Sequence, residues 1–230
     1  MGQRTENNRK DKMIKFNHVY KVFEKDIKAL EDVSFSIEKG EFVFVTGPSG
    51  AGKSTVFNLL YREEIADMGT IFVDSTDISR IHKGKIPFYR RRIGFVFQDF
   101  KLLFDRSIYE NIALPLVITG APQEFIKKAV AEAINKIGLS GKEELTPWHL
   151  SGGEKQKTAI ARATILNPPF IMADEPTGNL DEDSSWQVMN MFEELNKKGT
   201  TVIIASHNKE ITAKMAKRVI RLEAGRVAAS

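Results

Sequence analysis

Cysteine is absent from all 230 residues, which removes disulfides, thiol nucleophiles, Cys-ligated zinc and iron–sulfur clusters at once. A reducing compartment fits that absence. Long apolar runs are missing too: nowhere do roughly 18 apolar residues follow one another. Stretches such as Ile112–Ile118, broken by Pro115, are far too short to span a bilayer, so any membrane role must come through a partner. Residues 1–12, MGQRTENNRKDK, lack the apolar segment of about 7 residues that a secretory signal needs. They read as a flexible N-terminal tail, with one folded domain over 13–230. Positive charge is in only slight excess, net +4, too diffuse to require nucleic acid. Internal repeats and low-complexity tracts are also lacking.

What is present is an alternation of strands and helices. Met13–Val19, Val33–Ile37 and Glu41–Thr46 carry the β-branched and aromatic residues of strands, with Lys39-Gly40 as the turn before the third. A helix is predicted over Lys53–Tyr61, after a glycine-rich turn, and strands over Thr70–Val73 and Ile93–Phe97. Ile126, Val130, Ala133, Ile134 and Ile137 recur at helical spacing between Pro122 and Gly138. Ser151–Leu166 and Glu182–Lys198 read as helices, Phe170–Ala173 and Thr201–Ala205 as buried strands, and Arg218–Val227 as a short hairpin around Gly225. Strands separated by helices imply a parallel sheet with crossovers, an α/β fold.

Gly47-Pro48-Ser49-Gly50-Ala51-Gly52-Lys53-Ser54-Thr55 fits G-x-x-x-x-G-K-[ST] and stands between a predicted strand and a predicted helix. Glycines let successive N–H groups turn inward around a β-phosphate, and the open amides of a helix start add partial positive charge. Lys53 reaches the β- and γ-phosphates in such a P-loop, and the Ser54 hydroxyl is placed to ligate Mg²⁺. A nucleotide site of this kind needs a second part, an apolar strand ending in an acid. Phe170-Ile171-Met172-Ala173-Asp174-Glu175 supplies it. Asp174 would meet Mg²⁺ through a water, and Glu175 would polarise the attacking water.

Leu150-Ser151-Gly152-Gly153-Glu154 narrows the class. A hydroxyl and bare amides at a helix start form a second anion cradle. The plain alternative is a capping box of Ser151 and Glu154, which does not ask for both glycines. If both cradles grip one nucleotide from opposite sides, two chains in two-fold arrangement make two equivalent shared sites, a homodimer on nucleotide binding.

In this order the motifs resemble the ATP-binding-cassette (ABC) family over nearly all of residues 13–227. The resemblance implies a P-loop NTPase nucleotide-binding domain with an antiparallel β subdomain and a helical subdomain over about 100–166. It implies ATP and Mg²⁺ as cofactors and ATP hydrolysis as the reaction. It also implies that Gln98 senses Mg²⁺ and the γ-phosphate, that His207 bonds the γ-phosphate, and that Gly178-Asn179-Leu180-Asp181 lies at the dimer seam. Phe23 falls where the family stacks an aromatic on adenine, and Ser151 and Gly153 would close on the partner's nucleotide. Departures from the usual pattern are Phe23 for Tyr, His149 for Gln, Lys157 for Arg and Asn208 for Asp.

The stretch Phe97–Asn111, with Asp105-Arg106 after the Leu pair, looks like the cell-division branch of that family, as does Pro87–Arg91. That likeness implies an FtsX-like integral membrane protein as partner. The chain would then be peripheral on the cytoplasmic face of the inner membrane, passing ATP-driven closure to cell-wall hydrolases. No nucleic-acid partner is expected. Phe100, Leu102, Leu103 and Phe104 form an apolar group that could receive a partner helix or join the core, and Arg90, Arg91 and Arg92 invite an acidic partner or lipid headgroups. The competing readings are an ATPase subunit of a lipoprotein-releasing or macrolide-type exporter, a soluble DNA-associated ATPase, and a nucleotide-dependent scaffold with little turnover.

Overall fold

The computed structural model describes residues 12–228, which fall into two compact units. One comprises the residues up to Arg90 and those from Leu195 on; the other is Arg91–Glu194. The tail expected over 1–12 lies outside the described residues except for Lys12, which opens the first strand.

In the first unit, β1 (Lys12–Phe23), β2 (Ile27–Glu38), β4 (Met68–Val73) and β5 (Thr76–Asp77) form an antiparallel sheet in the order β2-β1-β4-β5. Ile14 and Phe16 are buried on β1 while Lys15 and Asn17 are less so, the period expected of a sheet with one covered face; an irregularity at His18 (φ 46°) then shifts the phase, and Val19 is buried. Phe16 sits opposite Phe35 with ring centroids 4.5 Å apart. Between β2 and β4 run β3 (Phe42–Thr46) and α1 (Lys53–Tyr61), and α2 (Ile86–Arg90) ends this part of the chain.

The second unit begins with β6 (Ile93–Val96), followed by α3 (Ile108–Ile118), α4 (Gln123–Lys136) and α5 (Gly152–Thr164). Ile112, Leu116, Val130, Ile134 and Ala161 share one core among these helices. β7 (Phe170–Asp174) lies parallel to β6, with Gly94 opposite Ile171. Gly94 has a steric reason: a Cβ there would stand 2.8 Å from the Ala163 carbonyl oxygen of the chain leaving α5's last turns. Helix α6 (Glu182–Lys197) then leads back to the first unit.

There β8 (Thr201–Ala205), α7 (Lys209–Met215), β9 (Arg218–Glu223) and β10 (Arg226–Val227) complete the chain. β3 is flanked by two parallel neighbours, with Val43 opposite Ile203 of β8 and Val45 opposite Ile220 of β9. A strand paired on both sides and covered on both faces must be apolar throughout, which is why Phe42–Val45 show no alternation. Its far end therefore holds the following loop rigidly. Two helices, α3 and α7, the short α2 and the two-residue β5 are absent from the sequence expectation, and β2 begins at Ile27 rather than Val33; the other strands and helices fall where expected within a few residues. No helix among the described residues is long and apolar enough to cross a membrane.

Candidate nucleotide site

The loop Gly47–Gly52 leaves β3 and enters α1, and three of its glycines have positive φ: Gly47 148°, Gly50 76° and Gly52 102°. Two are also demanded by crowding. A Cβ on Gly47 would fall 2.2 Å from the Leu222 carbonyl oxygen, and one on Gly52 2.6 Å from the Ala29 carbonyl oxygen. Only bare backbone can thread this path. α1 starts at Gly52 without a side-chain cap and without an acid in its first turn, so its leading N–H groups face no built-in anion. The Lys53 ammonium donates to the carbonyls of Gly47 (2.8 Å) and Pro48 (3.0 Å), bracing the loop from inside. Pro48, Ser49, Gly50 and Ser54 are exposed, Ala51 and Thr55 buried. Open amides, one lysine and an exposed hydroxyl are a donor set that fits a polyphosphate with its magnesium.

β8 brings His207 to the same end of the sheet. Ser206 N–H donates to the Val45 carbonyl at 3.1 Å, and the exposed His207 follows directly. Asn208 then caps α7 by accepting from the Ile211 N–H at 3.1 Å, which gives a local reason for Asn at that position. Phe23 ends β1 opposite Ile27, is 36% exposed, and has the Lys21 ammonium 5.0 Å from its ring centre. A ring face open to that extent can stack on a base. The strand opposite it, β2, also supplies Ala29 against Gly52, so the hairpin and the loop are one construction.

In the second unit, β6 and β7 end side by side, Val96 opposite Ala173. Gln98 is exposed just beyond β6; Asp174 closes β7, and Glu175 follows with φ 46°, left-handed backbone that a Glu adopts only under constraint. The Glu175 carbonyl accepts from the Gly178 N–H at 3.1 Å, folding the chain back. A Cβ on Gly178 would be 3.8 Å from both the Gln98 amide nitrogen and the Glu175 Cβ, so these residues converge. Among the described residues no three His, Cys, Asp or Glu side chains gather into a metal cage. Magnesium does not need such a cage where phosphates supply most of its oxygen ligands.

Ser151 and Glu154 form a complete capping box: the Ser151 hydroxyl accepts from the Glu154 N–H (3.2 Å), and the Glu154 carboxylate accepts from the Ser151 N–H (2.9 Å). The Lys142 ammonium on that carboxylate, then the Ser151 N–H, hold Glu154 below the usual carboxylate range. The glycines have an internal cause as well: a Cβ on Gly153 would lie 2.8 Å from the Ser184 hydroxyl. Asp181 accepts from the Ser184 N–H and hydroxyl, each at 2.8 Å, and those bonds lower its carboxyl's pKa. Its carboxylate therefore has a structural post at the head of α6.

Two surface expectations are revised. Arg90 donates to the Tyr61 and Arg62 carbonyls (3.0 and 3.2 Å) and lies over the Tyr61 ring, so it is spent on the end of α1 rather than offered to an acidic partner. Of the apolar group, Leu102 is buried, Leu103 is exposed, and Phe104 meets the exposed Trp148 at 4.6 Å. Sequence reasoning passed over Arg162 and Asn111, whose side chains bond the backbone just after Gln98. Apart from a 3.5 Å bond to each other, their partners here are main-chain atoms, which no residue pattern displays.

The family model described as ABC transporter matches residues 30–178. A relative from Bacillus subtilis named cell division ATP-binding protein FtsE is 49% identical over 93% of this chain and 93% of its own. A protein of the same name from Escherichia coli strain K12 is 43% identical over 93% of this chain and 96% of its own. Among solved structures, a dimeric post-hydrolysis state of the ATP-binding cassette MJ0796, bound to ADP and Pi, superposes with a TM-score of 0.85. It is 34% identical and covers 94% of this chain and 97% of its own.

Proposed function

The chain belongs to the ABC transporter family, with the cassette fold and ATPase chemistry of that family, and we propose that it is the ATP-hydrolysing subunit of a cell-division complex. Its relatives' shared name supports that setting, and supports it over the exporter, DNA-associated and scaffold readings. The complex would pair this chain with an FtsX-like integral membrane protein at the cytoplasmic face of the membrane. Closure of two copies on ATP would be passed through that partner to cell-wall hydrolases.

The observation that carries the chemistry is the glycine loop whose crowding forbids side chains, leading into a helix start with no acid or cap of its own. Loop amides and the helix start hold the phosphates; Lys53 exchanges its Gly47 and Pro48 carbonyls for phosphate oxygens. Bound magnesium supplies charge neutralisation on the phosphate oxygens, with Ser54, Asp174 and Gln98 as the residues that would hold it. Glu175 accepts a hydrogen bond from the attacking water and orients it in line with the γ-phosphorus, and His207 donates to the γ-phosphate. Phe23 stacks on the base, while Ser151 and Gly153 of the second copy close the site, with Asp181 at the seam. The helical subdomain that carries Ser151 would run over about 100–166.

Glu175→Gln removes the carboxylate's charge and basicity and keeps the shape. It should bind ATP as tightly as the wild type, hydrolyse it at least 100-fold more slowly, and elute as a dimer with ATP and a monomer without it. Lys53→Ala should lose ATP binding, read with a fluorescent analogue. Wild-type turnover in Glu175→Gln would remove that residue from its role.

A further inference from the structure

Directly after Gln98 the backbone does something costly. Phe100 and Lys101, both bulky, stand at φ 62° and 46° in succession. Each such residue carries a penalty of about 1 kcal/mol, so the turn persists only if its surroundings impose it. The imposing group is Arg162. Its Nη2 donates to the Phe100 carbonyl at 2.8 Å and its Nη1 to the Lys101 carbonyl at 2.7 Å, one guanidinium fork across two consecutive left-handed residues. Two residues on, the fully buried Asn111 accepts from the Leu103 N–H (2.8 Å) and donates to the Leu103 carbonyl (2.9 Å). The segment that follows Gln98 is thus fastened at both ends, by α5 and by α3.

Arg162 lies on the same helix as the Ser-Gly-Gly turn, about three turns from Ser151 or roughly 16 Å along the axis. Helix α5 is continuous over Gly152–Thr164 and seated by Gly94 against the Ala163 carbonyl, so displacement of its N-terminus is shared by Arg162. We propose that Arg162 is a positioning residue that ties Ser151 to Gln98 through the Phe100–Lys101 backbone and so couples the two nucleotide sites of the dimer. This rests on the reading above, in which Ser151 engages the partner's nucleotide while Gln98 attends its own. Engagement of one nucleotide then sets the alignment of Gln98 at the other. Lysine replaces the planar fork with a flexible ammonium that can reach two carbonyls, as Lys53 does, without fixing their spacing.

The test uses the full chain as wild type, Arg162→Gln, Arg162→Lys and Glu175→Gln. Measurements are affinity for a fluorescent ATP analogue, steady-state hydrolysis against ATP and Mg²⁺, and amide exchange over residues 99–104. Arg162→Gln should keep nucleotide affinity within twofold and exchange the 99–104 amides at least tenfold faster. Its kcat should fall at least tenfold, its Mg²⁺ requirement should rise, and a Hill coefficient above 1 in the wild type should drop to 1. Arg162→Lys should show the same loss of cooperativity with smaller loss of protection. If Arg162→Gln does not fold, Arg162→Lys decides alone. Wild-type kcat and Hill coefficient in a folded variant, unaltered exchange, or a wild type without cooperativity would each overturn the coupling. Absence of hydrolysis in the wild type, or full hydrolysis in Glu175→Gln, would instead overturn the reading it rests on.

Discussion

At Glu175 a side chain with an unfavourable backbone (φ 46°) stands at the end of an otherwise relaxed strand. Glycine accepts that conformation without a Cβ penalty and alanine does not, so Glu175→Gly should be more stable than Glu175→Ala by about 1 kcal/mol in urea denaturation. Both lose hydrolysis. The pair separates the backbone cost from the side-chain chemistry, and equal stability of the two would show that the turn is unstrained. On the proposed role, residue identity here would be set by reaction rather than by folding, the pattern expected where strain and function coincide.

Among the elements, the junction of α5 with α6 is a close one that bears on the proposed site. Gly153→Ala gains helix propensity of about 1 kcal/mol but must push against Ser184, whose Oγ and Cβ would lie 2.8 and 3.1 Å away. Overpacking of this kind costs about 1–3 kcal/mol, so net destabilisation is expected, and Gly153→Ala should cost less in a Ser184→Gly background, which is itself weakened by loss of the Ser184–Asp181 bond. Thermal melts of the four proteins check this. The capping box adds a pH term. Glu154 titrates lower when folded than when unfolded. Its contribution is therefore complete above the ordinary carboxylate value of about 4.3 and is lost as pH falls through the lower folded value. Glu154→Gln, which can still serve at N3 but offers no charge to Lys142, should flatten that acid limb by losing the contribution already at neutral pH. How legible each element was follows from how its burial is patterned. β3 and α4 declare themselves, one by unbroken β-branched and aromatic residues, the other by Ile126, Val130 and Ile134 at helical spacing. α3 does not, because it is apolar on nearly every side and contains Pro115, so no period survives; its start rests on the Ser107–Glu110 capping box. α7 is seven residues long with Ile211 as its one buried side chain, too short to show a face. The glycine loop was legible because its motif sits between recognisable elements. Arg162 was not, since its partners lie more than 60 residues earlier and are carbonyls.

For the whole molecule, ligand binding and folding are linked. Mg·ATP at about 100 times its Kd should add about 2.7 kcal/mol to the native state. For a chain of this length that is a rise of about 5–10 °C in Tm. Lys53→Ala should show no such rise, and a shift equal to the wild type's would mean that the phosphates bind elsewhere. The glycine loop also depends on remote sequence: the Leu222 carbonyl lies where a Gly47 Cβ would be, and the Gly225 N–H donates to the Ala51 carbonyl at 3.3 Å. A chain still being synthesised cannot finish its phosphate cradle until residue 225 has cleared the ribosome. A chain cut short before that hairpin is therefore expected to bind nucleotide more weakly than the full chain.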